Sequence, residues 1–363
     1  MGLTEVSGDG LTRTARSVGL VANFALAQLT ALVRSLGGYL LMPKPGYIFE
    51  DAAGTTPASQ DGLVGRINCS AGSGNYASQN TTNLKPRYRI GDVNRLLDSA
   101  TLSTQNVATY EIPYTLHFTG TGTVTLSGTS TAGPLVGTGV SDRVSLTFTP
   151  TAGALTLTVS GSVTAAMLNT GSTVAPYVAT TSAPKSNGIG PAWVETDGVD
   201  DYMLTSIATP ASGHIFMGGR QYSYTTSAWS GSGTYNKIGI NTVVLTDKRV
   251  QHQSHNGTSG GSATLPAPTV TAGTASVLES EWNPTYQAVR LNGVEATNNQ
   301  SINPAASSQF LLFARNGGDW PTVTPQTFTA GGFTSIIIVP TTLTNSEKQV
   351  LRRYVAQLEG VTI

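Results

Sequence analysis

With a single cysteine, Cys69, in 363 residues, the chain can close no disulfide within itself and can build no thiolate metal cluster. Cys69 reads as a small apolar residue between Asn68 and Ser70, and folding in a reducing cytoplasm is compatible with it. Charge is equally scarce. Only 11% of the residues are charged and the formal net charge is zero, so the chain lacks both the basic surplus that grips nucleic acid and the charge density of a disordered tail. Phosphate-cradling loops and redox motifs are missing too. No apolar run reaches the roughly 20 residues that a membrane span requires.

What the chain does hold is glycine, Ser/Thr tracts, and hydrophobic residues at 39% arranged in short alternating runs, each able to bury one face of a sheet. The fold class expected is mainly β. Single cores stop growing at roughly 250 to 300 residues, so at least two domains are expected. Helices are expected at the two ends only. Over residues 13–36, Val18, Ala22, Ala25, Leu29, Leu32 and Leu36 step by four and three, which is a heptad seam, and Gly37-Gly38 stops it. Leu20, Phe24 and Leu26 make the same helix apolar on a second side, so it should pack against a partner copy or onto its own domain. Two basic residues ahead of it mimic a signal peptide, but Asn23, Gln28 and Thr30 interrupt the apolar run. Near the other end, Thr344-Asn345-Ser346-Glu347 is a capping box opening a helix through Leu351, Tyr354, Val355 and Leu358, with Gly360 at its stop.

Strand signals lie between these helices. Tyr110–Phe118, Thr121–Leu126, Arg143–Phe148 and Ala154–Val159 alternate apolar and polar residues, and Val144, Leu146 and Phe148 face Leu155, Leu157 and Val159 across the turn 149–153. These make a small sandwich. Further strands are expected at 214–217, 238–245, 277–282, 287–291, 309–314 and 333–339, with an Asn292-Gly293 hairpin.

The chain also resembles a known family. Asp51-Ala52-Ala53-Gly54-Thr55-Thr56-Pro57, Val64-Gly65-Arg66, Ser73-Gly74-Asn75-Tyr76-Ala77-Ser78-Gln79, the turn at Lys85-Pro86-Arg87 and Asp197-Gly198-Val199-Asp200-Asp201-Tyr202 follow one another in a familiar order. That order resembles the concanavalin-like (laminin G-type) jelly rolls of bacteriophage virion proteins. In such relatives the Asp-Gly-Val-Asp-Asp-Tyr segment comes soon after the Pro-Arg turn. Here it waits until Asp197, so the resemblance implies an insertion. The inserted text, with Leu97–Gln105, Thr119–Leu126 and Ala175-Pro176-Tyr177, is similar to carbohydrate-binding-module sandwiches of phage structural proteins. The organisation that follows is an N-terminal assembly or docking helix at 1–40, a jelly roll at 41–93 plus 184–363, and an inserted small β-sandwich at 94–183. The strand that carries Asp197 should then pair with residues 47–90.

Candidate chemistry is thin. Asp197, Asp200 and Asp201, with Glu195 beside them, can offer carboxylate oxygens to a calcium ion, or can bond local amides in a turn. Tyr222, Tyr224 and Trp229 lie in a Ser/Thr-rich stretch suited to stacking on sugar rings, with Tyr235, Trp282 and Trp320 as further aromatics; for Trp282, inside a strand, core is the better reading. Gly257-Thr258-Ser259-Gly260-Gly261 matches a nucleophile elbow in letters, but its flanks are loop text. His252 and His255 read as a metal pair across a trimer axis or as solvated side chains.

The function expected from the resemblance is a non-enzymatic virion structural subunit, in a capsid or tail fibre, spike or decoration. It would be a homotrimer in contact with other virion proteins and assembled in the host bacterial cytoplasm, with no cofactor beyond a structural calcium. The alternative is a receptor-recognition protein of the particle that binds a host surface glycan. A depolymerase or esterase ranks behind both.

Overall fold

The computed structural model describes residues 26–223, 227–231, 239–255, 259–266, 270–299, 309–316 and 324–363, with backbone alone at 227–231 and 239. They form a mainly β protein with one helix near each end, α1 (Leu26–Ser35) and α2 (Asn345–Glu359). The larger unit is a two-sheet jelly roll.

Its first sheet has eight strands. In spatial order they are Val294–Asn298, Tyr286–Leu291, Ala275–Asn283, Gly213–Gln221, Ala330–Val339, Ala192–Asp197 and Arg87–Ile90, with Tyr39–Leu41 also paired to Ala330–Val339. The nine-stranded second sheet runs Ile48–Phe49, Arg66–Asn68, Tyr76–Ser78, Met203–Ala208, Gln309–Leu312, Ser227–Gly231, Gly239–Val244, Val250–His255, Gly260–Thr264. Every named pairing is antiparallel. Aromatic contacts join the two layers: Trp282 meets Phe310 edge-on at 6.2 Å, and Phe313 stacks on Phe333 at 4.8 Å.

The apolar run at the end of the Ala330–Val339 strand has a simple cause. Ile336, Ile337, Ile338 and Val339 are all fully buried, because one side of the strand faces the second sheet while the other lies under α2, whose Leu351 and Val355 join the same core. The capping box of α2 forms as its sequence dictates. The Thr344 side chain accepts from the Glu347 amide, the Glu347 carboxylate accepts from the Thr344 amide, and Gly360 ends the helix at φ +67°. Asn292 and Gly293 both take positive φ, +47° and +85°, as a tight hairpin between twisted strands demands.

The heptad seam resolves differently from the expectation of a partner. In α1, Leu29 and Val33 are 0% exposed, and Leu36, just past its end, is 7% exposed, all in the roll's own core, with Leu32 packed against it. Leu29, Leu32 and Leu36 are therefore corrected from subunit contacts to intrachain packing. Val18, Ala22 and Ala25 lie outside the described residues. The Arg34 Nε donates to the Ala71 carbonyl at 2.7 Å, pinning the helix to the adjoining loop.

Residues between the strands Arg87–Ile90 and Ala192–Asp197 build a second, smaller sandwich. A four-stranded sheet (Leu135–Val136, Thr123–Gly128, Gly153–Ser160, Gln105–Thr109) lies over a three-stranded one (Gly139–Phe148, Tyr114–Gly120, Val163–Thr170). The core of this sandwich, with Leu116, Phe118, Leu126, Leu155, Leu157 and Leu168, forms a hydrophobic cluster distinct from the roll's. Phe148 and Leu155 therefore belong to different sheets of one cluster and not to a paired hairpin, because the intervening turn passes from one sheet to the other.

Chain entry and exit form a neck in which Val93–Asn94 pairs with Lys185–Ser186. The buried Asn94 amide satisfies all its valences there, donating to the carbonyls of Ala166 and Val178 and accepting from the amides of Leu96 and Leu168. On either side of the neck the roll closes up again. Ala192–Asp197 pairs with Arg87–Ile90, and Met203–Ala208 with Tyr76–Ser78, so the Asp197 strand finds its partner inside residues 47–90. Among the described residues no helix is long and apolar enough to cross a membrane.

Candidate ligand cleft between the two sandwiches

Glu195 occupies the joint between the sandwiches, 9% exposed in the strand Ala192–Asp197. Its Oε2 accepts from Arg89 Nε at 2.7 Å, and its Oε1 pairs with Arg95, which stands just past the neck. Burial by itself pushes the Glu195 carboxyl up, but the two guanidiniums outweigh it and hold the group below the ordinary carboxylate value. Arg89 also reaches Asp61 at 2.7 Å, extending the network back into the roll. From the small sandwich, the Tyr110 hydroxyl donates to the Asp197 carbonyl at 2.9 Å, and its ring lies 5.7 Å from that of Tyr222. Joint and ring contacts together fix one sandwich against the other.

Beside this joint opens a cleft of ≈ 540 Å³. Thr82, Asn83, Lys85 and Arg87 of the roll, Tyr110 of the small sandwich, and Asp197 and Asp201 are among the residues that line it. Asp201, 7% exposed, is pushed up to about 7 by burial first and then by the charges of Asp197 and Asp200, so near neutral pH it both donates and accepts protons. Its Oδ2 accepts from the Asp197 amide at 3.0 Å. The Asp197 Oδ1 accepts from the amides of Val199 at 2.8 Å and Asp200 at 3.4 Å, a tight local turn. Gly198 makes that turn feasible, with φ +77° and Ala330 so close that an added Cβ would lie 2.6 Å from the alanine methyl. Oxygens of Asp197, Asp200 and Asp201 all lie within 4.8 Å of one another, so the group can offer ligands to a divalent cation, although backbone amides already occupy Asp197 Oδ1 and Asp201 Oδ2. Glu195 is not part of this group; the arginines have drawn it into the joint.

A second group of metal-ligand type, His214, Glu279 and Glu281, is wholly buried beneath α2. Its charge is already spent. Arg290 reaches Glu279 at 2.9 Å and Glu281 at 3.2 Å, Lys348 reaches Glu281 at 2.6 Å, and Arg352 reaches Glu279 at 2.6 Å. His214 Nε2 accepts from the Leu343 amide, so that nitrogen is unprotonated, and burial with the nearby cations pushes the ring's pKa down to about 3.

Other expected site residues fall in different places. Tyr222 is corrected from an exposed stacking ring to a buried wall, 4% exposed, lodged in the small sandwich's hydrophobic cluster. Tyr224, Tyr235, Trp320 and the side chain of Trp229 lie outside the described residues. Trp282 is core, 1% exposed, with its indole N–H donating to Pro210. His252 is corrected as well, being neither solvated nor able to reach a symmetry axis. It is fully buried and stacked on Trp282 at 5.8 Å, and burial pushes its pKa down to about 3. Ser259 precedes the strand Gly260–Thr264, so the elbow-like motif runs into a strand where a nucleophile elbow needs a helix. Lys85, Arg87, Arg89 and Arg95 were not foreseen. An arginine or lysine at alternate positions of a short strand was the available signal, but nothing local tells which of them meets an acid.

No family model matches the chain, and no curated protein does. Among solved structures it is similar to the CBM40 of the Ruminococcus gnavus IT-sialidase, at 13% identity over 40% of this chain and 84% of that one, with a TM-score of 0.33. It is similar also to the SAP-like pentraxin of Limulus polyphemus (13% identity, 44% and 79% covered, TM-score 0.35) and to domains LG4-5 of the mouse laminin alpha1 chain (11%, 69% and 89%, 0.33).

Proposed function

We propose that this protein is a non-enzymatic glycan-binding protein whose ligand lies in the cleft between the two sandwiches. The observation that carries the proposal is the cleft itself, ≈ 540 Å³ at a domain junction, lined by hydroxyl, amide, cationic and carboxylate side chains with Tyr110 on one wall. Donors and acceptors of both charge signs, interleaved with the hydroxyls and amide of Thr82, Thr196 and Asn83, suit a polyhydroxylated chain better than an apolar ligand. The carboxylates support a binding role over hydrolysis. Glycoside cleavage commonly uses two free carboxyl groups facing each other across the sugar, whereas here Asp197 and Asp201 sit in one turn with oxygens tied to backbone amides and Glu195 is locked by two arginines.

A glycan array run with and without calcium tests the proposal. A signal is expected, and Arg87→Ala should weaken it by about tenfold or more; silence across the array in both conditions overturns it. New reducing ends on incubation with polysaccharide would overturn the non-enzymatic part. The segments Asp51–Pro57 and Asp197–Tyr202 favour a setting for this binding: a phage particle, where the chain would recognise a host surface glycan or serve as a virion structural subunit. Self-association would then rest on Val18, Ala22 and Ala25, since Leu29 and Leu36 are spent on the roll.

A further inference from the structure

Tyr222 lines the large cleft and also a smaller pocket of ≈ 120 Å³, bounded by the neck, the C-terminal end of α2 and the first sheet of the roll. Glycines keep its sheet side bare. An added Cβ on Gly219 would lie 2.3 Å from the Gly332 carbonyl oxygen, and one on Gly332 would lie 2.2 Å from the Trp193 ring, so neither position can carry a side chain without moving the sheet or the indole. Trp193 is held in place from its other end, its Nε1 donating to the Gly91 carbonyl at 3.0 Å. The pocket is thus preformed.

Its charge does not balance. Asp92 and Glu359 both line it, and the cation that lines it with them is Arg220, itself exposed to solvent. Burial pushes each carboxyl up from its ordinary value, and Arg220 only partly offsets this; Asn187 helps at Asp92, and the Thr334 hydroxyl, which donates to Glu359 Oε1, helps at Glu359. Two desolvated carboxyls sharing one solvated guanidinium leave a deficit of positive charge beside aromatic walls. That is the setting in which a small cation is held by charge and by ring faces together.

We infer that this pocket takes a primary ammonium group carried on a small molecule, held between the carboxyls of Asp92 and Glu359 with Trp193 and Tyr222 as its aromatic walls. The ammonium can come from an amino sugar or from an aliphatic amine such as a lysine side chain. An anionic ligand is excluded by the carboxyls, and a neutral sugar leaves the charge deficit unmet. The proposal is independent of whether the larger cleft holds a glycan.

Titration of the full chain by calorimetry, with tryptophan fluorescence in parallel, tests it with glucosamine, n-butylamine, glucose and n-butanol near neutral pH. Saturable binding is expected for an ammonium compound and not for its neutral counterpart. Glucosamine alone binding identifies an amino-sugar source, and butylamine alone or both together an aliphatic one. Asp92→Asn and Glu359→Gln should each weaken binding by about tenfold, while Arg220→Ala, at an exposed position, should tighten it by a similar factor because the competing guanidinium is gone. Asp201→Asn, in the other cleft, should leave these affinities unchanged. Glucose binding as tightly as glucosamine with the same sensitivity to Asp92→Asn, no saturable binding of either amine, or Arg220→Ala weakening the amine's affinity would each overturn the inference.

Discussion

Two clusters of acids in this protein look alike by distance and differ in everything else. Under α2, Glu279 and Glu281 are enclosed by Arg290, Lys348 and Arg352. At the cleft, the carboxylates of Asp197 and Asp201 accept from backbone amides, Asp200 adds its charge beside them, and Asp201 is pushed up to about 7. The difference teaches that counter-charge, and not proximity of carboxylates, separates a structural cluster from one that can respond to its surroundings. A buried ion network is also weak proof of stabilisation as a whole, since its desolvation cost rivals its attraction; removing one member is what reveals it.

The sharpest way to break the comparison is to strip the compensated cluster of its central cation. Arg290→Met leaves Glu279 and Glu281 short of a partner and should cost about 3 to 5 kcal/mol in urea unfolding. A loss below 1 kcal/mol would mean that Lys348 and Arg352 suffice. Glu195→Gln probes the same logic at the joint, where Arg89 and Arg95 would be left facing a neutral amide. A loss of about 3 kcal/mol is expected, with proteolysis appearing first at the neck. Leu29→Ala removes an uncharged member of the core for contrast, with about 2 to 3 kcal/mol lost and no change of mass in solution, because the side chain packs within its own chain.

Asp201→Asn should have the smallest effect and the opposite sign. The folded state raises the Asp201 pKa from 3.8 to about 7, so folding favours its protonated form. The favourable contribution is full below the unfolded value and is lost as pH rises through about 7. Wild type should therefore lose stability relative to the asparagine variant between pH 4 and 8, by roughly 1 to 2 kcal/mol once solvent screening is allowed for. Paired melting curves across that range check it; parallel curves would refute the assignment.

Much of the fold was legible in the sequence where the signal was local. Asn292-Gly293 and Thr344–Glu347 carry their geometry in adjacent residues, so the hairpin and the capped helix form as read. The candidate site was not legible to the same degree. Arg89 and Glu195 are separated by 106 positions, and only the antiparallel register of their strands brings them together. Periodicity found the apolar face of α1 but could not say what covers it, which is why Leu29 read as a subunit contact. Tyr222 and His252 share another cause. Ser/Thr- and Gln-rich neighbours look solvated, yet Tyr222 is buried among residues of the small sandwich and His252 against Trp282.

The neck has a consequence for how such a protein can change. Where Val93–Asn94 lies against Lys185–Ser186, the outgoing and returning backbones run side by side, so the insertion leaves and rejoins the roll at a single place. A deletion that rejoins the chain there keeps those two backbones side by side but strips the roll of Arg95 and Tyr110, the partners of Glu195 and Asp197, so a graft of another sandwich must supply their replacements. The neck is thus the fitting for the small sandwich and the joint is its lock, so an exchange through the first holds only where the second is rebuilt.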